Sequence, residues 1–149
     1  MRIDHSYPSE SEYKILKVFI DTSAFMALIL KEESYHSKVA TQYSSYKQAR
    51  AQLITSTYVL DELFTRCLYR AGNHGGKLAI NLIREIIASD ELTVLEVDSQ
   101  IFKKAEENFL KFSDHKISFT DATSYVLYKD FSLDEVFTLD NDFKKMRIN

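Results

Sequence analysis

Four short runs rich in β-branched and aromatic residues are separated by longer stretches whose apolar residues recur at helical spacing: Val18-Phe19-Ile20, Leu53-Ile54-Thr55, Leu92-Thr93-Val94-Leu95-Glu96-Val97 and Val136-Phe137-Thr138-Leu139. This alternation constrains the fold more than any other feature. Strands that are joined through helices run in the same direction, so the pattern predicts an α/β domain with a central, mostly parallel sheet flanked by helices. The first run is apolar at successive positions, which suits a central strand covered on both faces. The 149 residues, 45% of them hydrophobic, are enough for one core and leave no room for a second. Residues 1–14 read as a polar N-terminal arm and 15–149 as a single domain.

The helices follow from their start signals. Asp21-Thr22-Ser23 stops the first strand and offers side chains that accept from the free N–H groups of a helix running through Ala24 to Leu30. A second helix is expected from about Ser34 to Arg50, and Ser56-Thr57 caps a third that runs to about Ala71. All three glycines fall within Gly72-Asn73-His74-Gly75-Gly76, which reads as a flexible loop. Beyond it, Leu78, Ile80, Leu82, Ile83, Ile86 and Ile87 predict a helix from Lys77 to Ala88 buried on a wide face. Ser99 to about Phe112 is a helix with Lys103, Lys104, Glu106 and Glu107 outward, and Ser118-Phe119-Thr120-Asp121 has the spacing of a capping box opening a helix through Tyr128. Any strand after Leu139 must be very short or absent.

Several function classes are excluded early. A net charge of −3 argues against a whole-surface grip on nucleic acid, though a local basic stripe remains compatible with one. One cysteine, Cys67, makes no internal disulfide, and His5, His36, His74 and His115 have no zinc-ligand spacing. The longest apolar runs fall far short of the roughly 20 residues that span a bilayer, and the N-terminal residues lack a signal peptide's apolar stretch, so a cytoplasmic protein away from membranes is expected.

Asp21, Asp121 and Asp140 each sit where a strand or loop meets a turn or helix. The carboxyl ends of strands line the ligand crevice of an open parallel sheet. Acids gathered there tolerate one another only with protons or cations between them, and hard oxygen ligands favour magnesium or manganese. Asp is also a common cap and turn residue without any ligand, and spacing alone leaves both readings open. Glu62 projects away from the apolar stripe of Leu60, Leu63, Phe64, Cys67 and Leu68, so periodicity alone places it on a solvated face.

Four blocks, in order, carry a resemblance: Val18-Phe19-Ile20-Asp21-Thr22-Ser23-Ala24, Thr57-Tyr58-Val59-Leu60-Asp61-Glu62-Leu63, Ser118-Phe119-Thr120-Asp121-Ala122, and Val136-Phe137-Thr138-Leu139-Asp140-Asn141-Asp142-Phe143. The sequence resembles the PIN-domain family of metal-dependent nucleases, and among them the small VapC-like toxins of toxin–antitoxin pairs. The resemblance implies a three-layer, Rossmann-like fold and an endoribonuclease that holds one or two Mg2+ or Mn2+ ions. It assigns Asp21, Glu62, Asp121 and Asp140 to catalysis and metal binding, with Asp142 as an auxiliary ligand and Thr22, Ser23 and Thr138 orienting the carboxylates or a water. It also implies an RNA substrate, an antitoxin protein that blocks the acidic cleft, and a homodimer. The chain departs from the family in its additional residues 1–14 and in ending soon after Phe143.

An acidic site that meets a polyanion needs flanking cations, and Arg66, Arg70 and Lys116 are the candidates for RNA binding. Lys144, Lys145 and Arg147 form a second basic group. Aspartyl-phosphate phosphatases require a second Asp two residues after the first, where this chain has Ser23, and receiver domains require an acidic pair that Asp21-Thr22 does not supply. The remaining alternative is a PIN-like RNA- or protein-binding module without catalytic activity.

Overall fold

The computed structural model describes residues 14–146. The arm expected over residues 1–14 therefore lies, apart from Lys14, outside the described residues, as does Arg147. Four strands, β1 (Lys17–Ile20), β2 (Gln52–Ser56), β3 (Leu92–Leu95) and β4 (Glu135–Phe137), form a parallel sheet in the order β3-β2-β1-β4. Val18, Phe19 and Ile20 are each at most 1% exposed, so β1 is covered on both faces as its unbroken apolar run predicts. The helices are α1 (Thr22–Ile29), α2 (His36–Gln48), α3 (Thr57–Ala88), α4 (Ser99–Lys111), α5 (Phe119–Asp130) and α6 (Asp142–Lys145). Phe25 of α1, Val59 and Leu63 of α3 and Leu127 of α5 join the β1 residues in the core.

Strand order decides where a site can form. From β1 the chain moves outward to β2 and β3, then returns to add β4 on the other side of β1. The reversal opens a crevice beyond the carboxyl ends of β1 and β4, the usual ligand position in such sheets. Ile20 is in register with Phe137, and the Asp21 N–H donates to the Phe137 carbonyl at 3.0 Å, which continues the pairing one step past β1.

The glycine stretch is not a loop. α3 runs 32 residues with a kink at Ala71 and Gly72, where Gly72 takes φ 67° and ψ −162°, a conformation essentially confined to glycine. Helical geometry resumes at once because Gly75 lies against the preceding helical segment, leaving no space for a side chain. The expectation of a loop came from reading glycine as a breaker; here Gly72 permits the sharp change of direction and Gly75 the close approach of the two helical segments. The apolar face beyond the kink is also narrower than predicted. Ala79, Ile83 and Ile86 are buried, whereas Leu78 and Ile87 are exposed, and before the kink Leu68 is exposed too.

Two strands are shorter than the sequence suggested. β3 ends at Leu95 and β4 at Phe137, so Thr138 and Leu139 lie beyond the sheet, free to turn toward the crevice. Among the described residues the short helix α6, and no further strand, follows β4. No described helix is long and apolar enough to cross a membrane.

Candidate active site

Asp21 occupies the position before α1 from which a side chain caps a helix, yet it makes no such bond. Its carboxylate instead turns to the sheet edge, where Oδ2 accepts from the Thr138 hydroxyl at 2.9 Å and the Ser23 hydroxyl at 3.3 Å. The capping expected of Asp21 is thus replaced by a hydroxyl clamp. Two backbone N–H groups fix that clamp: Leu139 donates to Ser23 Oγ at 2.9 Å and Asp140 to Thr138 Oγ1 at 3.1 Å. The two hydroxyl oxygens are 3.1 Å apart, close enough to share a proton in either direction. The turn after β4 therefore holds Asp21 in place while presenting Asp140. Asp140 Oδ1 in turn accepts from the Asp142 N–H at 3.4 Å.

Asp121 enters from α5. The capping box is present as the sequence predicts: the Asp121 N–H donates to Ser118 Oγ at 3.0 Å and its Oδ2 accepts from the Ser118 N–H at 3.3 Å. Fixed this way, Asp121 is 6% exposed and Asp21 only 2%. Burial pushes the Asp21 carboxyl up to about 6; the Thr138 hydroxyl and the Thr22 N–H oppose the rise, and the charges of Asp140 and Glu62 add to it. Burial likewise pushes Asp121 up to about 7, with the Asp21 charge next in weight, the Ser118 N–H opposing, and Asp142 and Asp140 contributing. Asp140 is raised by burial and by Asp142, against a lowering influence from Arg66. Each acid thus senses others across the crevice.

Glu62 corrects the helical-wheel reading. Its side chain is 27% exposed, it pairs with Arg66 at 3.5 Å, and its charge acts on Asp21. The side of α3 opposite the core stripe borders the crevice there, not open solvent. Asp61, its neighbour, is exposed and is not among the charges that shift Asp21.

Among the described residues no three acidic side chains are drawn together tightly enough to enclose an ion as they stand. What the acids share is an electrostatic field and not a closed cage. The donor set, carboxylate oxygens backed by hydroxyls, nevertheless suits a hard divalent cation of the magnesium or manganese kind, and the upward-shifted carboxyls are those that a cation would relieve.

The remaining expected residues separate. Ser23 and Thr138 touch Asp21, whereas the Thr22 hydroxyl is buried without a hydrogen-bond partner among the described residues and touches no carboxylate. Arg70 pairs with Glu33 at 3.0 Å, and Lys116 stands exposed in a left-handed conformation (φ 54°) after the 3₁₀ turn Ser113–His115. Lys145 pairs with Asp142 at 3.1 Å. The sequence allows its tyrosines and phenylalanines to stack on unpaired bases, with most of them expected in the core, but singles out neither Tyr35 nor Tyr69, and these two line a cavity of about 520 Å3 together with Ser23, Arg66 and Arg70. The signal for Tyr69 was present: Glu62, Arg66, Tyr69 and Arg70 recur at i, i+4, i+7 and i+8 on one helix face.

A parallel sheet with order β3-β2-β1-β4 and buried acids at its reversal point defines an open α/β architecture with an acidic crevice. The PIN domain family model matches residues 18–149, and the chain belongs to that family. It is 27% identical over 126 residues, 85% of this chain and 91% of the relative, to the 23S rRNA-specific endonuclease VapC20 of Mycobacterium tuberculosis, in both strain CDC 1551 and strain H37Rv. The crystal structure of M. tuberculosis VapC20, described as a Sarcin-Ricin loop cleaving toxin, superposes with a TM-score of 0.77 at 23% identity, covering 89% of this chain and 96% of that one. DNA-bound VapBC from Salmonella typhimurium superposes with a TM-score of 0.56 at 13% identity, covering 89% and 92%. These structural likenesses support the fold.

Proposed function

We propose that this protein is a metal-dependent endoribonuclease that hydrolyses RNA phosphodiester bonds, and that it acts as the toxin of a toxin–antitoxin pair. The observation that carries the reading is burial with repulsion: Asp21 and Asp121 are buried at the sheet's reversal point, where Asp140 repels both and Glu62 adds to the repulsion on Asp21. A protein that buries acids without partner cations loses stability by doing so, which is a usual mark of a functional site. The similarity to VapC20 supplies the substrate class, and structured ribosomal RNA is accordingly the first substrate to offer.

In this reading Asp21, Glu62, Asp121 and Asp140 hold one or two Mg2+ or Mn2+ ions, with Asp142 as an auxiliary ligand. A divalent cation held by these residues would supply a lowered water pKa and charge to offset that of the scissile phosphate. The chain's own contribution is positional. Thr138 and Ser23 direct hydroxyl protons at Asp21 Oδ2 and hold that carboxylate in one orientation. The Ser118 N–H does the same for Asp121, and the N–H of Asp142 for Asp140. Water attacks the phosphorus in line, the P–O3′ bond breaks, and the leaving oxygen takes up a proton, giving a 5′-phosphate and a 3′-hydroxyl without a covalent enzyme intermediate. The antitoxin, in this reading, is a protein that covers the acidic crevice; a homodimer is proposed on the family resemblance.

The test is cleavage of a labelled pool of structured RNAs, ribosomal stem-loops included, by purified wild type and Asp121→Asn, each with EDTA, Mg2+ or Mn2+ and after removal of any co-purified protein. Metal-dependent cleavage by wild type that Asp121→Asn lowers at least 100-fold is expected. Cleavage unchanged by both EDTA and the substitution would overturn the assignment.

A further inference from the structure

The cavity beside the acids has a composition that the cleavage chemistry does not use. Its lining combines apolar Met26 and Ala27 of α1 with two aromatic rings, two guanidinium groups and one carboxylate, that of Glu33, which is paired with Arg70. Tyr69 is 84% exposed and Tyr35 55%, unusually open positions for rings in a chain whose other aromatics largely pack into core or clusters. Ser23, whose hydroxyl touches Asp21, and Leu139, whose N–H holds Ser23, form the wall between cavity and acids.

We propose that this cavity is a nucleotide subsite, in which Tyr35 and Tyr69 stack on an unpaired base of the RNA next to the scissile phosphate while Arg66 and Arg70 hold its backbone phosphates. The inference rests on the ribonuclease reading and specifies where the substrate lies. Its volume of about 520 Å3 is within the ordinary range for a small-molecule-sized ligand. Aromatic faces with interleaved cations are the usual means of holding single-stranded nucleic acid, because every base presents a π-face and every nucleotide a phosphate. Both arginine side chains are more than half exposed, and each pairs with one partly buried carboxylate, Arg66 with Glu62 at 3.5 Å and Arg70 with Glu33 at 3.0 Å. Such pairs contribute little, so exchanging a carboxylate for a phosphate has a low cost.

The experiment measures KM and kcat for wild type, Tyr35→Ala, Tyr69→Ala and Tyr69→Phe on an RNA stem-loop from the cleaved pool, then repeats wild type and Tyr69→Ala on substrates with single abasic positions beside the cut. Both alanine variants should raise KM about tenfold, within the range for loss of one base–aromatic stack, while Tyr69→Phe retains the wild-type value. At one abasic position the difference between wild type and Tyr69→Ala should vanish, an outcome that loss of fold would not produce. Wild-type KM in both alanine variants would overturn the subsite, leave the nuclease reading standing, and point to a protein as the cavity's occupant. Absence of any RNA cleavage by wild type would overturn both.

Discussion

Thr138 shows how one side chain links the sheet to the acids. Its hydroxyl donates to Asp21 and accepts from the Asp140 N–H, so a single oxygen ties the acid after β1 to the acid after β4. Thr138→Val keeps shape and removes both bonds; it leaves Asp21 with the weaker Ser23 contact and the Asp140 N–H without its acceptor. We expect metal affinity or activity to fall about 10- to 100-fold, the usual effect of removing a group that orients a metal ligand, with the folded state retained. Titrating Mn2+ against cleavage rate separates this from misfolding: Thr138→Ser should recover most of the loss, and a Thr138→Val enzyme with unaltered metal dependence would refute the role. At this scale the sequence was partly legible. Hydroxyl residues beside the acids were visible, and the Ser23 and Thr138 hydroxyls contact Asp21, but the Thr22 hydroxyl does not: it is buried without a hydrogen-bond partner among the described residues, and Thr22 acts on Asp21 through its N–H alone. Glu62 was legible only through resemblance, since a helical wheel identifies the side facing the core but not whether the other side faces solvent or a crevice.

The elements were read more completely than their ends. Every strand and the order of elements through α5 agree with the periodicity, because apolar runs bounded by cap residues such as Ser56 and Ser118 carry local information, and both side chains accept from their helix's first turn; the Asp98 cap of α4 and the short helix α6 were not read. The glycine stretch was misread because glycine composition does not distinguish a loop from a kink between packed helical segments; that depends on tertiary contacts. The distinction predicts different outcomes at three neighbouring positions. Gly75→Ala places a Cβ against the Cys67 carbonyl oxygen and 2.6 Å from the Ala71 Cβ, and should cost about 1–3 kcal/mol as overpacking. Gly72→Ala meets no neighbour but must hold positive φ, and should cost a similar amount, about 1–3 kcal/mol. Gly76→Ala has only ordinary contact with Leu68 at 3.6 Å and should be neutral or stabilising by up to about 1 kcal/mol. Urea midpoints of the three variants check the series, and equal tolerance at all three positions would be the signature of a loop.

At the scale of the whole molecule, the acids couple folding to pH. A carboxyl whose pKa is raised on folding binds its proton more tightly in the folded chain than in the unfolded one. Its favourable contribution is therefore complete in acid, below the unfolded value of 3.8, and is lost as pH climbs through the folded value. For Asp21 that value is about 6 and for Asp121 about 7, so metal-free protein should lose stability steadily between about pH 4 and pH 7. One pKa unit is worth about 1.4 kcal/mol, which makes the Asp21 rise alone on the order of 3 kcal/mol. Asp121 and Asp21 act on each other, so their effects belong to the set and do not simply add. Urea unfolding in EDTA at pH 4.5 and pH 7 measures the slope directly. Asp121→Asn removes one charge from the set, and should flatten the slope and stabilise the metal-free protein at pH 7. Mg2+ or Mn2+ should raise wild-type stability at pH 7 in proportion to the logarithm of its concentration above the dissociation constant, and should do so far less in Asp121→Asn. Stability in EDTA that stays flat or rises from pH 4.5 to pH 7 would mean that the carboxylates do not burden the folded state. The electrostatic argument for a cation among them would then fail, whatever the protein cleaves.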